Sequence, residues 1–183
     1  MKKNIFIIVF SVLFLNVLAA QNLVTPPSWQ TIFSSRGNFS FQTLSTYIQR
    51  DTLSTLYYAA QLDTLGLQVH FIDNSTLISN DATFTALITQ NAGDTLRAIA
   101  QFMINLTNGQ LVSIQNLGTV GTMPTGLEFG ILMPSELNAN MYMFTRLFRR
   151  YNRFYAFTAT STQTDISRLT TYKTTFFNSI NFY

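Results

Sequence analysis

The chain contains no cysteine, so its fold cannot be held by disulfide bonds or by thiolate-bound metal. Packing of apolar side chains must stabilise it instead, and 17 Phe and 8 Tyr residues supply large side chains for this. Charged residues make up only 10% of the chain, against about 25% in ordinary globular proteins. The polar surface must therefore come mainly from Thr, Ser, Asn and Gln, and copies of such a chain repel one another weakly.

Residues 1–20 have the pattern of a cleaved secretory signal peptide. Residues 1–4 form a short positive region, residues 5–15 an apolar region, and residues 17–20 a small-residue end. The alternative is a membrane anchor, but polar residues interrupt the apolar run, and a spanning helix needs about 20 apolar residues. We expect cleavage before Gln21 and a secreted, extracellular protein, or a periplasmic one in a bacterium, with no integral membrane segment.

Cleavage of 20 of the 183 residues would leave 163, a length suited to one domain. Loss of Lys2 and Lys3 reduces the 11 basic residues to 9, against 8 acidic ones, for a net charge of +1. This balance does not favour a nucleic-acid partner. Because Pro26-Pro27 disfavours helix, we expect an extended N-terminal arm over 21–29 and a single domain over 30–183.

Hydrophobic periodicity predicts an α+β fold with a mainly antiparallel sheet flanked by helices. Alternating or β-rich runs predict strands at 38–41, 53–60, 65–72, 111–117, 127–133, 141–148, 154–160 and 180–183, with turns that include 118–126. Helical spacing predicts a first helix from Asp81, a second that Asp94 caps and Asn108-Gly109 ends, and a third over 165–179.

Several short motifs share their order with those of one known family. They are Trp29 before Gly37-Asn38-Phe39-Ser40-Phe41, the Pro-x-Gly-x-Glu pattern within 121–129, Arg146, Arg153-Phe154-Tyr155, and the ending 176–182. Over residues 29–183 the chain thus resembles the PsbP-like α/β/α sandwich family, which includes photosystem II extrinsic subunits, a Ran-binding import factor and bacterial periplasmic lipoproteins. The resemblance implies a mostly non-catalytic binding or assembly module. The chain has no lipobox cysteine, and its export signal argues against a nuclear partner.

Residues for catalysis or metal binding are few. His70 is the only histidine, and strand alternation puts it on the opposite face from Asp73. Glu128 is the only acid within a predicted strand core, so neighbouring sequence offers no carboxylate pair. The oxygen-rich stretch around Asp73-Asn74 and Asn80-Asp81 lacks the spacing and glycine of a calcium loop. We therefore expect no enzyme activity, no cofactor and no metal site.

Arginines cluster in the second half of the chain. With a turn at 134–138, Glu128 falls within one residue of the position opposite Arg146 on the partner strand, which predicts a structural ion pair between them. Aromatic residues alternate with the arginines at Arg146, Arg149, Arg150 and Arg153. This pattern indicates either a contact site for an anion or a partner, or a solvated hairpin tip with arginines stacked on aromatic rings.

Three sequons for N-glycosylation begin at Asn38, Asn74 and Asn105. They act only in a eukaryotic secretory pathway, and a chain rich in Asn, Ser and Thr produces such triplets by chance. We treat the three asparagines as candidate glycan sites.

Three functions fit these observations. The first is a secreted, non-enzymatic binding or assembly domain that contacts a protein or glycan partner through its surface. The second is a self-assembling subunit of an extracellular filament or coat, a homo-oligomer or polymer, because charge is sparse and both the arm and a Phe182-Tyr183 strand are free to pair in trans. The third is a carrier of a small apolar ligand in a pocket between helix and sheet.

Overall fold

The computed structural model describes residues 28–52, 55–73, 86, 89–91, 94–120, 123–134 and 140–183, with the backbone alone at 119, 120, 123 and 124. Its strands are β1 Trp29–Ser34, β2 Phe39–Leu44, β3 Tyr47–Asp51, β4 Thr55–Leu62, β5 Leu65–Ile72, β6 Gln110–Val120, β7 Met123–Met133, β8 Met141–Arg150, β9 Arg153–Thr162 and β10 Asn181–Phe182. Two helices have both ends within the described residues: α1 Thr95–Thr107 and α2 Ile166–Asn178, the latter preceded by a 3-10 turn. The fold is α+β with mostly antiparallel sheet.

Seven strands form one sheet in the order β3-β4-β5-β9-β8-β7-β6, and all their pairings are antiparallel. Strand alternation separates its two faces. Phe71 and Phe157 belong to a core cluster on one face, whereas Phe129 and Phe154 belong to a second cluster on the other. Both faces of the sheet are therefore apolar and need to be covered.

One face is covered by α2 and by a three-stranded sheet in the order β1-β2-β10. Phe39 and Phe41 on β2 pack edge-on against Phe157, with ring centroids 5.7 and 6.1 Å apart. Phe176 of α2 packs on Phe157 at 6.1 Å. This aromatic cluster provides the packing that a chain without cysteine requires.

The other face packs against α1, whose ends follow from local sequence. The Asp94 side chain accepts a hydrogen bond from the Arg97 amide at 3.1 Å and so caps the first turn. Asn108 ends the helix in the left-handed conformation, at φ 48°. The buried residues of α1 include Leu96, Ile99 and Met103, which join the cluster around Phe129.

Most predicted elements are observed, and the strands β2 and β6 to β9 are longer than predicted. The hairpin of β4 and β5, the capped helix α1, the strands β6 to β9, the helix α2 and the final strand β10 all match predicted segments. The turn predicted over 118–126 is too long, because β6 continues to Val120 and β7 starts at Met123. Two strands were missed: β3, and β1, whose first residue Trp29 was assigned to the arm.

The C-terminal strand pairs within its own chain, so the prediction that a Phe182-Tyr183 strand is free to pair in trans is wrong. β10 pairs antiparallel with β2 of the same chain, with Phe182 opposite Phe39. The Phe182 ring lies 5.0 Å from Tyr155, in contact with the aromatic core. This strand is therefore part of the domain's own packing and is not free to be donated.

Other predictions lie outside the described residues. These are the signal peptide over 1–20, its cleavage before Gln21, the arm over 21–27, most of the helix predicted from Asp81, and the sequon at Asn74. Among the described residues, no helix combines the length and the apolar character needed to cross a bilayer.

Candidate interaction surface

Glu128 on β7 faces Arg146 on β8 in the strand register. Its Oε2 lies 2.6 Å from Arg146 Nε, and its Oε1 lies 3.4 Å from Lys173 Nζ on α2. Glu128 is buried, and both basic side chains are mostly buried. One carboxylate thus holds two cations between the sheet and α2.

Aromatic rings and a carbonyl group complete this cluster. Arg146 donates to the Phe177 carbonyl at 3.0 Å, and its guanidinium carbon lies 4.8 Å from the centroid of the Phe177 ring. Lys173 Nζ lies 4.3 Å from the centroid of the Phe144 ring. Arg146 is therefore occupied by structural contacts, which leaves it poorly placed to bind a ligand.

The four predicted arginines do not form one site. The Arg149 guanidinium carbon lies 5.8 Å from the centroid of the Phe154 ring, on the α1 side of the sheet. The Arg150 guanidinium carbon lies 5.0 Å from the centroid of the Phe182 ring, on the opposite side. Arg150 and Arg153 face each other in register across the turn at Tyr151. Stacking on rings is what the hairpin-tip interpretation predicted, and alternation along β8 is the reason that the cluster divides.

Arg36 is a charged residue that sequence reasoning did not connect with this end of the sheet. It lies in the turn between β1 and β2 and pairs with Asp51, while its Nε lies 3.6 Å from Asp73. Arg153 Nε contacts the same Asp73 at 3.0 Å. Arg36 and Arg153 both lie over the Phe71 ring, about 6 Å from its centroid. No local pattern links these residues, because they come from the β1–β2 turn, the end of β5 and the start of β9.

His70 on β5 does not form a catalytic dyad with a described carboxylate. Its ring lies 4.5 Å from the Tyr57 ring, and its buried Nε2 has no hydrogen-bond partner among the described residues. Burial lowers the pKa of His70 to about 4, so the imidazole is neutral near pH 7. Within the same part of the chain, no three His, Asp or Glu residues are grouped as metal ligands.

Two of the candidate glycan sites are described. Asn38 is exposed in the β1–β2 turn with φ 54°, a left-handed conformation that Asn tolerates. Asn105 is exposed on the last turn of α1, and its Oδ1 accepts a hydrogen bond from Gln101 at 2.9 Å. Glycan attachment at either asparagine stays a prediction.

A groove of about 390 Å³ lies between the edges of the two sheets. Its lining comes from β1, β3 and β4 and includes the polar Ser34 and the charged Arg36 and Asp51. It does not lie between a helix and a sheet, where a pocket for an apolar ligand was expected. The carrier hypothesis stays a prediction without support from this groove.

The edge strand β6 carries several exposed apolar side chains. It is 11 residues long, pairs with β7 alone among the described strands, and contains no charged residue or proline. Leu111, Val112 and Ile114 are 43, 51 and 37% exposed, and Leu106, near the end of α1, is 47% exposed. These are four of the nine exposed large hydrophobic residues in the described part of the chain.

A β-bulge explains why these side chains are grouped. Leu111 pairs with Ile131 and Ser113 pairs with Gly130, so Val112 is inserted without a partner on β7. Leu111 and Ile114 consequently lie on the same face, across from Ile131 and Phe129, the face that α1 covers. The regular run from Ser113 to Asn116 follows.

The opposite edge of the same sheet has a different character. β3 has only five residues, and two of them, Arg50 and Asp51, are charged. Short length and charge are the usual means by which proteins protect an edge strand from pairing with another chain. β6 has neither, and its bulges are the only such protection visible in its described residues.

The comparisons with known proteins identify the fold. The solution structure of cyanobacterial PsbP from Synechocystis matches with a TM-score of 0.54 and 12% identity, covering 91% of this chain and 99% of that one. The crystal structure of the Ran-binding protein Mog1p from Saccharomyces cerevisiae matches with a TM-score of 0.51 and 7% identity, covering 86 and 96%. No protein-family model and no curated protein sequence matches. The predicted PsbP-like resemblance is confirmed at the level of the fold.

Proposed function

We propose that this chain is an exported, non-enzymatic binding domain that contacts a protein partner through the β6 edge. Its scaffold is an α/β/α sandwich in which α1 and α2 flank opposite faces of the seven-stranded sheet. The observation that carries the proposal is the exposure of an 11-residue uncharged edge strand with Leu111, Val112 and Ile114. An open edge offers backbone donors and acceptors to an added strand, and apolar side chains stabilise the contact by their burial.

The placement of the charged groups supports binding over catalysis. Glu128 is engaged by Arg146 and Lys173, and Asp73 is engaged by Arg36 and Arg153. Catalytic acids and bases need free access to a substrate and a pKa near the working pH. The pKa of about 4 at His70 makes it a poor proton acceptor at neutral pH. Mog1p is a Ran-binding protein, which illustrates that this fold can carry a protein-binding surface.

Site-specific photocrosslinking in the producing cell tests the proposal. Benzoylphenylalanine replaces Ile114 on β6 or Ile166 on α2, two isoleucines that are each 37% exposed. We expect ultraviolet light to yield one protein adduct of defined mass from position 114 and none from position 166. The same adduct from both positions, or none from position 114, would contradict the proposal. A glycan adduct at position 114 would show that the partner is a glycan and not a protein.

Export is tested on the same material. The N-terminal residue of the protein recovered outside the cell, or from the periplasm, should be Gln21. Retention of residues 1–20 on a membrane-bound product would contradict the proposed cleavage and favour an anchor.

A further inference from the structure

We propose that the partner of β6 is a second copy of this chain, paired antiparallel about a two-fold axis so that the seven-stranded sheet continues into the sheet of its neighbour. The inference rests on the proposed function and names the partner for that surface. In such a contact each residue of the strand faces a residue of the same strand in the other copy, so the strand must be complementary to itself.

The composition of β6 satisfies this requirement. No residue from Gln110 to Val120 is charged, so no register opposes like charges between the two strands themselves. The chain as a whole also presents little repulsion, because its predicted mature form has 9 basic residues, after loss of Lys2 and Lys3 from 11, against 8 acidic ones. A partner recognised by charge would need a charged strand, as β3 has with Arg50 and Asp51.

The two faces of the strand are each self-complementary. On the α1 side the strand presents the apolar Leu111 and Ile114, followed by Asn116, whose side chain accepts a hydrogen bond from Arg97 on α1. On the other side, Ser113 and Gln115 are exposed, uncharged and able both to donate and to accept hydrogen bonds. Pairing of two identical strands therefore buries apolar side chains and brings uncharged polar side chains together.

The bulges limit how much of the strand can pair. The register shifts at Val112 and Leu117 leave Ser113–Asn116 as the regular stretch between them. The contact is consequently short, and small interfaces are typical of weak or transient association. We expect a reversible dimer whose population rises with protein concentration.

Sedimentation velocity of the purified mature protein, residues 21–183, tests the inference. The wild type should shift from monomer to dimer over a concentration series. Ile114→Lys should weaken dimerisation by at least about tenfold, because it places a charge from each copy in the contact. Ile166→Lys, at a site of equal exposure away from β6, should dimerise like the wild type. Gln115→Lys, also exposed and within the regular stretch, provides a second β6 variant should I114K fail to fold.

The absence of cysteine from the chain permits a second, structural readout. Single cysteines at each position from 111 to 116 should form an intermolecular disulfide fastest at the residue nearest the two-fold axis, with slower reaction on either side. A cysteine replacing Ile166 should remain largely unlinked. Equal linking at all positions would reflect random collision and would overturn the strand pairing.

The outcomes separate this inference from the proposed function. A wild type that stays monomeric at every concentration, or an I114K variant that dimerises normally, would overturn the second copy as the partner. If position 114 nevertheless crosslinks a different protein in the cell, the proposed binding edge stands and only its partner changes. If neither association nor a crosslink occurs, both proposals fail.

Discussion

Glu128 and Arg146 face each other across β7 and β8, with Oε2 2.6 Å from Nε, and the pair lies beneath α2. Lys173 of α2 reaches the same carboxylate at 3.4 Å. The contact joins two strands and a helix by a single acidic residue. Its consequences for stability can be measured, since the chain's only tryptophan, Trp29, packs 5.6 Å from Tyr172 on α2 and reports unfolding by fluorescence.

Glu128→Gln should lower the free energy of unfolding by about 2 to 3 kcal/mol. The substitution leaves Arg146 and Lys173 mostly buried without their carboxylate, and loss of one partner from a buried pair costs about 3 to 5 kcal/mol, less where water retains access. Urea denaturation followed by Trp29 fluorescence measures the change. Asp63→Asn is the matched control, because the Asp63–Arg168 pair is about one-third exposed on both sides and should contribute below about 1 kcal/mol. Equal losses in the two variants would contradict the special role of Glu128.

Tyr155→Phe should destabilise the protein by about 1 to 2 kcal/mol. The Tyr155 hydroxyl donates to the Gly37 carbonyl at 3.0 Å in a buried contact, and the variant leaves that carbonyl without this donor. The bond joins β9 to the turn between β1 and β2. Tyr151→Phe removes a hydroxyl from a side chain that is 91% exposed and should leave the urea midpoint unchanged. An unchanged midpoint for Y155F would show that water replaces the bond without cost.

His70 should make the protein less stable in mild acid. Burial lowers its pKa to about 4 from 6.5, so the unfolded chain binds a proton more readily than the folded chain. The contribution of neutral His70 to the free energy of unfolding is complete above about pH 6.5 and is lost as the pH falls toward 4. A pKa shift of this size corresponds to a total loss of about 3 kcal/mol. Urea denaturation at pH 7 and pH 4.5 should show a smaller acid loss in His70→Gln than in the wild type. Parallel losses would indicate that His70 titrates normally in the folded state.

Asp94→Ala should cost about 1 kcal/mol through loss of the cap on α1. The Asp94 side chain accepts from the Arg97 amide, and alanine offers no such acceptor. Asp94→Asn retains an acceptor but removes the charge that contacts Arg97 at 3.3 Å, so it separates the cap from the ion pair. We expect thermal unfolding to show a clear loss for D94A and a small one for D94N. If D94N lost as much stability as D94A or more, the effect would come from the charge of Asp94 and not from the cap.

Local features of the sequence determined where helices end and which residues face one another across hairpin-connected strands. The cap at Asp94 and the left-handed end at Asn108 depend on a few adjacent residues, so sequence patterns predict them directly. The placement of Glu128 within one residue of the position opposite Arg146 also follows from sequence, because a single turn sets the register of β7 and β8, and the structure makes the two directly opposite. Apolar alternation similarly predicted the strands β4 to β9, although not how far β6 and β7 extend toward each other.

Tertiary structure decided which surfaces remain exposed. Periodicity cannot show that β6 lies at an edge, because strand order depends on pairings between distant segments such as β5 with β9. It also cannot show the bulge at Val112, which places Leu111 and Ile114 on one face although strict alternation would separate them. The contact of Arg36 with Asp73 also depends on tertiary structure, because it joins two sheets that are packed together. The absence of cysteine and the scarcity of charge thus determined how the domain is stabilised, and the three-dimensional arrangement determined where it can bind.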